Sequence, residues 1–351
     1  MSNRPVVVGL GTIQQKGNYN ELDEALFLMD KSFKKAIIDC TNSNITEYID
    51  EVRIPKGFWR YRDPGKWVAD NNNIKSVKTI VSKVGILQQN LINTACNKIK
   101  NGEIKASLIL GGESRFKILR SSIENKDYIE TPLNTNPDIY EKSPEKLQLD
   151  VEEKELGSMA VGYYAILESA FRYMLQNNHD DHHNYLCDVY SGYSEIAANN
   201  KDGWIEQSID KEDIKVESKK NTRQAFPYNK YHCTSWNVNQ ACSIIICSED
   251  VADKLDIPLD KRVYPLASSE NNHMISTLQR PNLIEPAGMH LAAKFILDIC
   301  SKNNLVPNIY DLYSCFPVAI QMFAKSLNLN NIKDKTVTGA MPFAGGPLNS
   351  Y

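Results

Sequence analysis

"VKTIVSKVGILQQNLINTACNKIKNGEIKASLILGGES", Val77–Ser114, decides the fold. Its opening reads as a strand. Leu87 to Lys100 then carries apolar residues at helical spacing and closes on Asn101-Gly102, and "ASLILGG" is an apolar strand ending in two glycines. Strand, crossover helix and buried strand in that order make a parallel-sheet unit, because parallel neighbours need a long connection.

The same grammar extends both ways along the chain. "VVVGLG" opens as a strand and leads into "YNELDEALFLMDKSFKKAIIDC", which has apolar residues near helical spacing. "RIPKGFWRYRDPGKWVADNN" is an aromatic, basic, turn-rich segment. From Lys117 to Asp150 the chain turns polar, with turn signals at Pro132, Pro137 and Pro144, and no core strand is expected there. "VGYYAILESAFRYMLQNN" has helical spacing, and "WNVNQACSIIICS" reads as a strand buried on both faces. The last third repeats helix, turn and strand in "AGMHLAAKFILDICSKNN" and "IYDLYSCF", so two related α/β halves are the simplest arrangement.

Size and charge exclude several function classes. The 351 residues are 42% hydrophobic and 24% charged, with a net charge of -3 and no long basic block, so nucleic acid is not an expected partner. No apolar run reaches bilayer length and the N-terminus has no secretory h-region; no membrane partner and a cytoplasmic location are expected. The eight cysteines form no CxxC pair, and most sit in apolar patterns such as "ACSIIICS", where a reduced thiol packs as a small hydrophobe.

Three segments together carry a family resemblance. "KNGEIKASLILGGES" resembles the thiolase segment in which a helix ends in a glycine turn and the next strand ends in a glycine pair before Glu-Ser. "IYDLYSCF" looks like the thiolase strand ending in Asn-Glu-Ala-Phe, or in His-Asp-Cys-Phe in the sterol-carrier-protein type. "TGAMPFAGGPLNS" is similar to the family's glycine-rich loop. With "GFWRYRDPG" and "AFPYNKYHCTSWNVNQA", the chain looks most like bacterial thiolase-like proteins of the acetyl-CoA acetyltransferase kind, from Val6 to Tyr351.

The resemblance implies an α/β thiolase fold: two similar α/β halves in a five-layer α-β-α-β-α arrangement with an inserted loop region. The expected divisions are an N-terminal half over 1–116, an inserted loop and helical region over 117–221, a return strand over 222–250 and a C-terminal half over 251–351. It also implies an acyl-CoA acyltransferase of lipid metabolism, coenzyme A or acyl-CoA as ligand with no covalently bound cofactor, and a homodimer paired through the N-terminal sheet edge.

Thiolase chemistry uses a cysteine nucleophile, a histidine base and a second cysteine that exchanges an α-proton. Carried over by position, the nucleophile falls on Gly85 and the histidine on Gly346, so neither group is present. The family's strand-end Asn or His falls on Tyr313, while Cys315 and Phe316 match its Cys-Phe. The chain reaches Tyr351 before the loop that would carry the second cysteine; either the chain is incomplete or that element is gone. Tyr313 and Cys315 are the remaining catalytic candidates. Gly85, Gly339, Gly345, Gly346, Tyr313 and Phe316 are expected to line a thioester pocket. The competing reading is a catalytically degenerate thiolase-like protein that binds CoA thioesters or a protein partner.

Other candidates have plainer readings. "HDDHH", His179–His183, has metal-like spacing but reads as a solvated surface turn, and His232 beside Cys233 reads as adjacent residues on opposite faces of an extended chain. No metal site is expected. Arg60 and Arg62 in "WRYRDPG" read either as a CoA phosphate contact or as a turn clamped near Asp63.

Overall fold

The computed structural model describes residues 2–143, 145–272 and 274–350; the turn signal at Pro144 lies outside them. The strands are β1 Pro5–Gln14, β2 Ile49–Pro55, β3 Lys78–Ser82, β4 Ala106–Ser114, β5 Ile139–Glu141, β6 Arg223–Ala225, β7 Tyr228–Asn229 and β8 Asn239–Ser248. The helices are α1 Ala25–Cys40, α2 Pro64–Asn71, α3 Gln88–Lys100, α4 Arg115–Glu124, α5 Asp150–Leu156, α6 Ala160–Met174, α7 His179–Asn199, α8 Lys211–Lys215, α9 Glu249–Lys254, α10 Ala287–Lys302, α11 Pro317–Ser326 and α12 Met341–Ala344. None of them is long and apolar enough to cross a membrane. The chain divides into a first unit of residues 1–143, 236–268 and 347–351, and a second of 144–235 and 269–346.

The first unit is built on a six-stranded sheet in the order β1-β8-β4-β2-β3-β5. β4, β2, β3 and β5 run parallel, and β8 enters antiparallel between β4 and β1. Alternation along the strands assigns each face its helix. Ala106, Leu108 and Leu110 of β4 and Ile245 and Cys247 of β8 bury against Leu26, Met29 and Phe33 of α1. Ile109 and Ile246, one residue out of phase, bury against Leu91, Ala95 and Ile99 of α3. Each fully buried large apolar side chain contributes about 1.5–3 kcal/mol. The expected strand, helix and strand of Val77–Ser114 are therefore present, as is the return strand, which is covered on both faces.

A charged group is also buried on β2. Arg53 donates to Glu51 through Nε at 2.6 Å, and Lys98 of α3 donates to the other carboxylate oxygen at 2.8 Å. Glu51 is 0% exposed and Arg53 2%, so these ion pairs, with Glu141 at 3.6 Å from Arg53 Nη1, replace what water would otherwise supply.

The second unit is mainly helical. Val189, Tyr190, Tyr193 and Ala197 of α7 pack with Ile320 and Ala324 of α11 and Phe343 of α12, while Leu167 and Phe171 of α6 meet Val318 and Met322. Two expectations change here. "IYDLYSCF" has no regular secondary structure and belongs to no ladder among the described residues, whose only sheet in this unit is the β6–β7 hairpin. Its apolar and β-favouring residues satisfy the pattern for a strand, yet a strand also requires a hydrogen-bonding neighbour. "HDDHH" is no solvated turn but the first turns of α7: the Asn178 side chain caps it by accepting from the Asp181 N–H at 2.9 Å, and His182 and His183 are buried.

Candidate functional site

Three segments of the second unit meet at the positions singled out in the sequence. Residues 233–235 leave the β6–β7 hairpin extended. The Thr234 N–H donates to the Cys315 carbonyl at 3.0 Å, the Ser235 N–H to the Met341 carbonyl at 3.1 Å, and the Gly346 N–H back to the Ser235 carbonyl at 2.9 Å. The Tyr313 phenol donates to the Gly345 carbonyl. Asp311 anchors the third segment, one carboxylate oxygen accepting from the hydroxyls of Thr336 and Thr338 at 2.8 and 2.9 Å. Tyr313, Cys315, Phe316, Gly339, Gly345 and Gly346 are thus brought together on one backbone-bonded frame.

The bareness of the glycine-rich loop has a local cause at two points. Gly339 has φ of +95°, and a Cβ there would stand 2.5 Å from Ala197 of α7. At Gly346 a Cβ would stand 2.0 Å from Thr234 Oγ1. The space where the resemblance places an imidazole is occupied by the Thr234 hydroxyl, which is itself buried with no hydrogen-bond partner. Sequence reasoning missed Thr234, although it lies inside the quoted segment "YHCTSW"; its only signal is contact with Gly346, which no local pattern reveals.

Gly85 belongs to the first unit, in the turn between β3 and α3 with φ of +105°. A cysteine there would sit in a backbone conformation that residues with a Cβ rarely adopt. Cys315 keeps its thiol, but burial pushes it up to about 11, and burial with the nearby Cys315 pushes Cys233 up to about 12. A thiol in that range is protonated and weakly nucleophilic at neutral pH. All eight cysteines are free.

Phe316, at the N-cap of α11, stacks on Tyr164 at 4.6 Å and on Tyr228 at 5.8 Å. Behind it lies a polar cluster the sequence did not disclose. Glu168, 0% exposed, accepts from Tyr228 at 2.6 Å and from Gln321 at 2.8 Å, and pairs with His182 Nε2 at 2.7 Å. Burial raises Tyr228 well above the usual phenol range, so it remains a donor to the carboxylate. Gln321 also lines a cavity of about 640 Å³, with Phe171, Met174, Tyr185, Lys325 and Ile332 around it.

Arg60 and Arg62 do not clamp Asp63. Asp63 caps α2 through the Lys66 N–H at 3.0 Å and accepts from Thr79 at 2.8 Å, while the two arginines are exposed and line a cavity of about 690 Å³ in the first unit with Arg115, Tyr61 and Tyr128.

The mixed sheet with its inserted antiparallel strand is the thiolase fold. No family model and no curated protein sequence matches the chain. Among solved structures, the chain is similar to a monomeric SCP2-thiolase-like protein type 1 from Mycobacterium smegmatis, with a TM-score of 0.77, 21% identity, and 99% of this chain covered against 68% of that one. It is similar to the Ltp2-ChsH2(DUF35) aldolase, with a TM-score of 0.70, 13% identity, and coverage of 98% and 86%. A thiolase from Ascaris suum in complex with coenzyme A matches with a TM-score of 0.61, 15% identity, and coverage of 99% and 90%. At these identities the likeness defines the fold.

Proposed function

We propose that the chain is a thiolase-like protein that binds a CoA thioester without performing cysteine-based acyl transfer. The Thr234–Gly346 contact carries this reading: the position of the family's base is filled by a hydroxyl, and no histidine side chain fits there unless Thr234 moves. Gly85 at the nucleophile position and the buried, protonated Cys315 support it. Residues that act as a unit fail together, so loss of thiol and imidazole leaves only binding and oxyanion contacts. Coenzyme A as the ligand is supported by the fold's CoA-bound neighbour and by the retained Tyr313–Gly345 frame, where backbone and hydroxyl groups converge. Gly339, Gly345, Gly346, Tyr313 and Phe316 are the proposed contact residues.

Two measurements test this. Calorimetric titration with CoA and acetyl-CoA is expected to give saturable binding. Thiolysis of acetoacetyl-CoA by free CoA is expected to stay at background in wild type and in Cys315→Ala alike. Turnover that disappears in Cys315→Ala would replace this reading with an acetyl-CoA acetyltransferase using a relocated nucleophile, and absence of binding would leave a protein partner as the occupant of the site.

A further inference from the structure

Within the second unit, α7 carries His183 and Cys187 one turn apart on the same face, and the 3-10 turn Lys230–His232 brings His232 against them. Cys187 Sγ is 3.7 Å from His183 Nε2 and 3.7 Å from His232 Nε2, and the three atoms all lie within 4.8 Å of one another. Cys187 and His232 are 0% exposed and His183 9%. A fourth atom converges from α8, the Lys215 carbonyl oxygen, 3.4 Å from His183 Nε2.

Hydrogen bonding accounts poorly for this arrangement. A thiol is a weak donor and a weak acceptor, so two imidazoles at 3.7 Å gain little from it. A tetrahedral zinc ion is a better match: bonds of about 2.3 Å to sulfur and about 2.0 Å to nitrogen or oxygen place sulfur about 3.5 Å, and oxygen about 3.3 Å, from the neighbouring nitrogen. We propose that His183 Nε2, Cys187 Sγ, His232 Nε2 and the Lys215 carbonyl form a structural zinc site tying α7 to α8 and to the hairpin exit.

The donor set selects the metal. One thiolate and two imidazoles suit zinc, whereas magnesium and calcium require mostly oxygen ligands. Burial lowers His183 and takes His232 down to about 3, so both rings are held in the neutral form that ligates. Burial raises Cys187 to about 12, so loading releases its proton to solvent. One contact has to change. The Asn229 N–H donates to His232 Nδ1 at 3.2 Å, which keeps the ring's proton on Nε2; ligation moves that proton to Nδ1 and turns the ring out of this bond.

The test uses the full chain and does not depend on the CoA reading. After chelator treatment, wild type titrated with cobalt(II) is expected to show thiolate-to-cobalt charge-transfer absorption and tetrahedral d–d bands saturating at one equivalent, both bleached by zinc. Cys187→Ser is expected to lose the charge-transfer band and to bind at least tenfold more weakly, while Cys300→Ser, on α10, keeps both. Wild type without the band overturns the proposal whatever the variants do, and a band that survives in Cys187→Ser overturns it equally.

Discussion

Thr234 Oγ1 occupies the position into which any side chain at Gly346 would have to grow, 2.0 Å from an added Cβ. The two residues are therefore energetically coupled. Gly346→Ala is expected to cost about 1–3 kcal/mol by overpacking, and Thr234→Ala in the same chain is expected to return most of it. A denaturant-unfolding double-mutant cycle measures this; additive effects would contradict the contact.

That pair also marks the limit of what the sequence discloses. The first unit was legible because its periodicities are local: the alternation of Leu108, Ile109 and Leu110 and the helical spacing of Leu91, Ala95 and Ile99 are written in adjacent residues. The second unit was less so. "IYDLYSCF" carries strand composition without a ladder partner, and His183 faces the core because of α8 and the hairpin, which its own neighbours do not encode. Asn178 followed by Asp180 and Asp181 was a readable helix start that outweighs the polar look of "HDDHH". Gly346 and Tyr313 could be placed by resemblance, whereas Thr234 and Glu168 could be found only in three dimensions.

Glu113, near the end of β4, is 2% exposed and accepts from the Phe58 N–H at 2.6 Å. Burial pushes its pKa up to about 7, against the opposing pull of that N–H, Lys56 and Arg115. The folded state thus binds this proton more tightly than the unfolded state, so stability from this group is full at low pH and lost as pH rises through about 7. The loss approaches about 3 kcal/mol above pH 8. Chemical denaturation between pH 5 and 8 is expected to show this decline and Glu113→Gln to flatten it.

Glu51 has the opposite sign. Burial raises its pKa, but the hydrogen bonds from Arg53 and Lys98 outweigh that and hold it below the usual carboxylate range. Its contribution is present above the unfolded-state value and lost as pH falls through the folded one. Glu51→Ala, which leaves the buried Arg53 charge only its 3.6 Å pair with Glu141, is expected to cost about 3–5 kcal/mol at neutral pH. A loss under about 1 kcal/mol would show that water reaches Arg53.

The two edges of the six-stranded sheet are β1 and the three-residue strand β5. β5 pairs with β3, and Val263 exchanges two backbone hydrogen bonds with Val7 on β1, at 2.8 and 2.9 Å. An edge strand of three residues and an edge interrupted at Val7 offer a second copy only short rows of donors and acceptors. The expected outcome of analytical ultracentrifugation at micromolar concentration is a monomer; a stable dimer would show that these short edges suffice for pairing or that another surface is used.

The position of β8 between β1 and β4 sets a timetable for synthesis. Pro5 pairs with Ser248, and Ala106 pairs with Cys247, so the middle of the sheet is supplied by one of the last strands of its unit to leave the ribosome. Until then β1 and β4 each carry an apolar edge with no neighbour, through the whole translation of 144–235. Its central pairings close the longest loops, which is expected to slow folding for a sheet of this size. A nascent chain halted before Asn239 exposes the surfaces that chaperones bind, and the same chain released after Ser248 can bury them in one step.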